Sequence, residues 1–453
     1  MFNPKREKGI IMKAKWLPLA AGVALAAGSV AATAVDFHGY FRAGTQVTAR
    51  RGDVFCGGDG TAGHKVGRLG DECDTYAELA IGEKLYDKGG RQFNVYSRMA
   101  YGTPQAGDGH DTQWNDWQAA GGSGNDTASA WDGGRIAIRE FYGNYVTDDY
   151  TLWAGKRFYQ RKDIHIWDIY TLSTAGYGTG IENVNVGVGN LNFAVMKNST
   201  ADNGAGSYRN NYNLDLRWNG VGLGSFGSLD MAVIYAIPMV SKYQEKNAGF
   251  SKNSGVLLTI DHALSVDTLM NHFIVQWGNN GFSDVGAFGS NGTNLYTSGK
   301  DINGIRLVDW GTYDIADFTI GYGLFWGYIG YGNKGEGSWS RPNSGWEYSI
   351  TVRPSYKWTE YTRTTLEAGY SQRKNGSKGG WTLWAKDLND DPDIYKVTLA
   401  QEITPGKGFW QRPALRFYAS YQGGDQYEAK VGAQKLGHHN FQWSFGSQIE
   451  AWW

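Results

Sequence analysis

From Phe318 to Ile329 the chain reads F-T-I-G-Y-G-L-F-W-G-Y-I. Phe318, Ile320, Tyr322, Leu324 and Trp326 fall on one face of an extended chain, and Thr319, Gly321, Gly323 and Gly327 on the other. Successive strand residues point to opposite sides, so this is a strand with one apolar face and one small, polar face. The pattern recurs. Leu366, Ala368 and Tyr370 alternate with Thr365, Glu367, Gly369 and Ser371. Tyr395, Val397 and Leu399 alternate with Lys396, Thr398 and Glu402. Trp443, Phe445, Ile449 and Trp453 stand opposite Gln442, Ser444, Gln448 and Glu450.

Composition agrees with an all-β chain. Among 453 residues there are 65 Gly, 19 Trp and 28 Tyr, a glycine share about twice the usual one. Trp, Tyr and Gly are poor helix formers. Beyond the N-terminus no run reaches the ~18 apolar residues that a spanning helix needs. The formal charge of −1 removes an electrostatic case for nucleic acid.

The first residues form a targeting segment. Lys5, Arg6, Lys8, Lys13 and Lys15 make a basic head, Trp16 to Ala32 is apolar or small, and Ala32-Thr33-Ala34 suits a signal peptidase. Residues 1–34 are therefore expected to be a signal peptide cleaved after Ala34, with Met12 an alternative initiator. In an exported chain the two cysteines, Cys56 and Cys73, read as one disulfide pinning a surface loop. A metal site would need more ligands than His64 offers, and no metal or cofactor is expected.

A soluble sandwich would pack these apolar faces together, whereas an outer-membrane barrel turns them toward lipid around a wet lumen. Aromatics cluster near strand ends, and the chain closes on Glu-Ala-Trp-Trp. Short turns (Tyr86 to Gly90, Thr147 to Asp149) alternate with long polar loops (Gly102 to Gly134, Asn198 to Asn210). These features favour the barrel. At ~10 residues per strand, the 419 residues from 35 to 453 make sixteen or eighteen antiparallel transmembrane strands.

Strand parity then reads the lumen. Phe37 and Phe41 face out while His38, Tyr40 and Arg42 face in; Ala77, Leu79 and Ile81 face out while Tyr76 and Glu78 face in. Parity also puts Trp410, Arg412, Arg416 and Trp452 inside. Aromatics beside charges suit a pyranose, whose C–H face stacks on rings while its hydroxyls bond the charged groups. Asp163 and Asp168 do not read as a glycosidase pair, because nearby Arg and Lys would hold both ionised. Gly176 to Gly180 lacks the strand-to-helix setting of a phosphate loop, and no H-E-x-x-H occurs.

The blocks V-D-F-H-G-Y (35–40), R-L-G-D-E-C-D-T-Y-A-E-L (68–79), L-W-A-G-K-R-F-Y-Q-R-K-D-I-H (152–165), R-P-S-Y-K-W-T (353–359), W-x-R-P-A-L-R (410–416) and the terminal W-W run in order along residues 35–453. In these the chain resembles the maltoporins, trimeric sugar porins of the bacterial outer membrane. The resemblance implies an eighteen-stranded barrel with an inward-folded constriction loop, carrying maltose and maltodextrins along a slide of aromatics. By motif the slide positions are Tyr40, Tyr76, Trp410 and Trp452, with Trp117 lent by a long loop to the neighbouring pore and Met270 where the family has an aromatic. Arg42, Arg68, Glu78, Arg139, Arg161, Asp163 and Asp168 match the charged track, and Tyr170 the constriction tyrosine. Thr171 and Leu172 follow where further aromatics are usual. Those two departures leave a porin for sucrose or an aryl β-glucoside open. A periplasmic carbohydrate-binding or carbohydrate-cleaving β-protein is the alternative from another class.

Overall fold

The structure is a computed structural model that describes residues 35–49, 65–72, 74–104, 118–119, 135–201, 208–248, 252–283, 301–331, 344–375, 393–424 and 441–453. Cys56, Cys73, Trp117 and residues 1–34 lie outside them. The strands are β1 (Asp36–Thr48), β2 (Asp74–Lys88), β3 (Arg91–Pro104), β4 (Gln118–Ala119), β5 (Arg135–Val146), β6 (Thr151–Ile164) and β7 (Ile169–Asn185). Next come β8 (Asn190–Ala201), β9 (Tyr208–Gly222), β10 (Ser228–Pro238), β11 (Gly255–Val266), β12 (Leu269–Asn279) and β13 (Ile302–Ile315). The last six are β14 (Phe318–Tyr331), β15 (Ser344–Lys357), β16 (Thr362–Asn375), β17 (Asp393–Ile403), β18 (Ala414–Gly423) and β19 (Phe441–Trp452).

Each strand pairs antiparallel with the next, β3 pairs directly with β5, and β1 pairs with β19, so the sheet closes on itself. The two-residue β4 leans on β5 alone, which leaves eighteen strands in the wall of the barrel. Closure matters because a spanning segment in hydrocarbon must satisfy every backbone group internally.

The alternation read from the sequence sets the two faces. Phe318, Leu324 and Trp326 are exposed on the outside, and Thr319, Gly321 and Gly323 are buried inside. Near one rim of the outer face, Phe318, Tyr356 and Trp358 touch in series, with ring centroids 4.8 and 4.5 Å apart. Near the other, Trp346 stacks on Tyr348 and Tyr421 meets Trp443. Aromatic girdles at both interfaces flank the apolar band of outer-membrane barrels. Phe325 and Ile329 share the parity of the small residues and are buried inside.

The short turns expected at 86–90 and 147–149 are present, the first with shifted edges, and most of the two long loops lies outside the described residues. Strand β2 runs on through Tyr86 to Lys88, so the first short turn is Gly89–Gly90 alone. Strand β3 extends to Pro104 and β8 to Ala201, beyond the predicted loop starts at Gly102 and Asn198.

Among the described residues, three connections fold into the lumen. Residues 65–72 reach across the lumen to the wall formed by β15 to β17, where Lys65 Nζ meets Glu347 of β15 at 2.5 Å. There the Leu69 amide donates to Glu367 of β16 at 2.9 Å, and Lys396 of β17 donates to the Leu69 carbonyl at 2.8 Å. Residues 165–168, between β6 and β7, place Trp167 against Gly323 and its indole N–H on Thr351 at 2.8 Å. Ile164, Ile166, Trp167 and Ile169 pack there on Ile274, Val308, Trp310 and Phe325. This is the inward-folded constriction loop. The third connection, 404–413, sets Phe409 against Gly321.

Glycine makes the first of these approaches possible. A Cβ at position 369 would collide with the Val66 carbonyl. Gly369→Val should push residues 65–72 off the wall without touching the ladder. The expected outcome is a variant that still shows heat-modifiable migration but has a changed single-channel ion conductance; an unchanged conductance would mean the loop does not narrow the pore.

Candidate functional site

The lumen carries an acid–base network at the seam where β1 meets β19. Register pairs Tyr40 with Trp452 and Arg42 with Glu450. Glu450 is 1 % exposed and lies 2.8 Å from Arg416, 2.7 Å from Arg412 and 3.3 Å from Arg68, while the Tyr40 hydroxyl donates to it at 3.2 Å. Glu72 accepts from Arg68 Nε at 2.7 Å, from Arg42 at 3.1 Å and from Gln448 at 2.7 Å. Arg42 also reaches Asp168 at 3.2 Å. On the next strands the Tyr76 hydroxyl donates to Glu78 at 2.5 Å, and Arg98 donates to the other Glu78 oxygen at 2.6 Å. Buried charges persist only when paired in this way.

Further round the wall, the Arg139 guanidinium lies 5.0 Å from the Phe158 ring centroid. Arg161 stacks between Phe158 at 4.8 Å and Tyr170 at 4.9 Å. Asp163 pairs in register with Tyr170 at the stem of the constriction loop. Thr171 and Leu172 are buried, Thr171 bonding the Lys162 carbonyl and Leu172 packing on Ile234 and Leu257.

The aromatics line up along the same seam. Tyr76 and Tyr40 have ring centroids 6.0 Å apart. Trp452, over which Arg412 sits at 4.3 Å, lies 5.7 Å from His165, and His165 lies 5.1 Å from Trp410. Trp410 meets Trp310 edge to face at 6.5 Å. Met270 is half-buried and packs on the cluster under the constriction loop that includes Trp310.

Strand parity is not what brings Trp410 and Arg412 inside. Both precede β18, which begins at Ala414, and they reach the lumen on the 404–413 connection. Pore-facing side chains missed in the sequence include Glu72, His165 and Trp310. His165 sits between Arg68 at 3.1 Å and Arg412 at 3.2 Å. Burial and the Arg68 guanidinium push its imidazole well below the usual histidine range, so it is neutral and accepts from one arginine. Burial likewise pulls the Lys65 ammonium down to about 8, against the opposing effect of Glu347. Trp310 lies in V-D-W-G-T-Y, where apolar and polar residues fall on both faces, so alternation carried no signal.

Residues 35–453 match the LamB porin family. The chain belongs to it. A relative named Maltoporin from Hahella chejuensis is 32% identical over 444 residues, covering 97% of this chain and 98% of its own. Among solved structures, OpdQ of Pseudomonas aeruginosa is 9% identical with a TM-score of 0.45, over 93% of this chain and 99% of its own. The trimer form of OmpT of Vibrio cholerae is 14% identical with a TM-score of 0.41, over 92% and 99%. A LamB porin is an outer-membrane channel, and the family is not one of enzymes.

In this LamB porin, Glu450 holds three arginines together. Glu450→Gln should leave Arg68, Arg412 and Arg416 short of one counter-charge and shift the pore toward anions. A destabilisation of about 3–5 kcal/mol is expected for breaking such a buried set. Reversal potentials in a salt gradient and the temperature of heat-modified migration check the two effects. An unchanged reversal potential would remove Glu450 from the ion path.

Proposed function

We propose that this channel carries maltose and maltodextrins by facilitated diffusion, with the gradient as the only driving force. The observation that supports this best is the line of rings from Tyr76 and Tyr40 through Trp452 to Trp410: Tyr76 donates to Glu78, Tyr40 accepts from Arg68, Arg412 lies over Trp452, and Trp410 continues the line through His165. A sugar chain sliding along such a line stacks its ring faces and exchanges hydroxyl partners without full rehydration. Conduction requires that each position release the sugar again, so the positions act as a series of weak sites. Arg42, Arg68, Glu78, Arg139, Arg161, Asp163 and Asp168 form the polar track in this reading, and Tyr170 the constriction. Asp168 engages Arg42, which suits a binding charge better than a catalytic acid.

One observation favours a second reading. Met270 offers no flat face, and Thr171 and Leu172 are buried away from the lumen, so a porin for another sugar has room at the constriction. The 1–34 leader, a Cys56–Cys73 disulfide and a homotrimer belong to the proposal. So does Trp117 as a ring lent to the neighbouring pore.

Trp452→Ala or Trp410→Ala should weaken block of ion current by maltodextrins by about 1–3 kcal/mol, by analogy with stacked bases. Conductance without sugar should change far less. Sugar block equal to wild type in both variants would overturn the slide. For Trp117, defined trimers mixing Trp117→Ala with wild-type subunits are decisive. A wild-type pore beside a mutant neighbour should bind sugar more weakly; if each pore follows its own genotype, the residue acts in cis.

A further inference from the structure

Beyond Trp410 the line of rings does not stop. Register pairs His272 of β12 with Trp310 of β13, Asp261 of β11 with Ile274, and Asp230 of β10 with Asp261, which puts all these side chains on the inner face. They lie at the end of the barrel where the short turns are, near the 267–268 turn. The His272 and Trp310 rings are stacked, centroids 5.1 Å apart and planes 13° from parallel. Trp310 is 8 % exposed while the His272 side chain is 26 % exposed, so the indole is the backing and the imidazole is the surface offered to the pore.

The charges around this ring are arranged as at the seam. His272 Nδ1 faces Asp261 Oδ1 at 2.9 Å. A carboxylate can only accept, so Nδ1 carries the proton in the neutral ring and Nε2 is left as an acceptor. Among the described residues nothing bonds Nε2. Lys162, on the stem of the constriction loop, lies 3.0 Å from the other Asp261 oxygen and also pairs with Asp230. Lys162 and Asp230 are 24 % and 28 % exposed. One donor, one carboxylate and one imidazole nitrogen thus surround a flat ring, which is what adjacent sugar hydroxyls and a C–H face require.

We propose that His272, backed by Trp310 and flanked by Asp230, Asp261 and Lys162, is a further pyranose-binding position at the short-turn mouth. It supplies the flat face that Met270, two residues earlier, lacks. The proposal rests on the maltodextrin reading. It adds the point at which a chain already held on Trp410 passes its leading residue forward. In this proposal a long oligosaccharide occupies this position and Trp452 together, four ring-to-ring steps apart, and maltose occupies one of them at a time.

The test is sugar block of ion current by maltose, maltotriose and maltohexaose through reconstituted wild type, His272→Ala, Asp230→Asn and Trp452→Ala. His272 and Asp230 are partly exposed, and neither substitution leaves a large cavity. In His272→Ala and Asp230→Asn the loss of affinity should grow with chain length, reaching about fivefold for maltohexaose. Block unchanged in both variants at every chain length, with Trp452→Ala weakened, would overturn this position and leave the maltodextrin reading standing. An equal loss for all sugars, together with altered conductance in their absence, would make the cluster structural and overturn it too. If no sugar blocks the wild type, or Trp452→Ala is also without effect, the maltodextrin reading fails and takes this inference with it.

Discussion

The hydrogen-bond ladder between β1 and β19 closes the barrel. Without it, two strand edges would face hydrocarbon with their N–H and C=O groups unmet, each at a cost of several kcal/mol. Nine register pairs from Tyr40–Trp452 to Thr48–Ser444 remove both edges. The same pairing sets Tyr40 beside Trp452 and Arg42 beside Glu450 although they are some four hundred positions apart in sequence. The backbone requirement of the membrane and the assembly of the pore's central charge cluster are therefore met by one set of bonds.

A closed wall of eighteen strands leaves a lumen wider than side chains alone can fill. Inward-folded connections occupy it, and each is held by the means its contact surface allows. The 65–72 segment crosses polar wall and is tied by ions, through Lys65–Glu347 and the Glu367 and Lys396 contacts at Leu69. The 165–168 loop meets apolar wall from β12 to β14 and is held by packing, with Trp167 wholly buried. Both meet at Arg68, whose amide donates to the Ile166 carbonyl at 3.2 Å and whose guanidinium faces His165. The two inward-folded elements therefore brace one another.

Charge in the lumen is balanced locally. Glu450 faces three arginines, Glu72 two, and Asp261 a lysine and a histidine. Mutual pairing restrains these side chains, and Arg412, tied to Glu450, lies over the Trp452 ring. A solute meets a preordered surface and spends little free energy arranging it.

The barrel, its two faces and much of the seam follow from the alternation in the primary structure. A period of two, repeated in ten-residue runs, can only bury one face and expose the other, so Phe318 and Leu324 point out and Thr319 and Gly323 point in. Tyr40, Tyr76, Glu78 and Trp452 were legible for the same reason, being within regular strands. Trp410 and Arg412 were reached by the right residues and the wrong route, since parity has no meaning in the 404–413 connection. What the inward loops touch is set by long-range packing. That His165 lies between two arginines and that Trp310 stacks on His272 depend on contacts between distant strands and folded-in loops. Alternation specifies a side of the sheet, and a side of the sheet does not say which loop will come to rest on it.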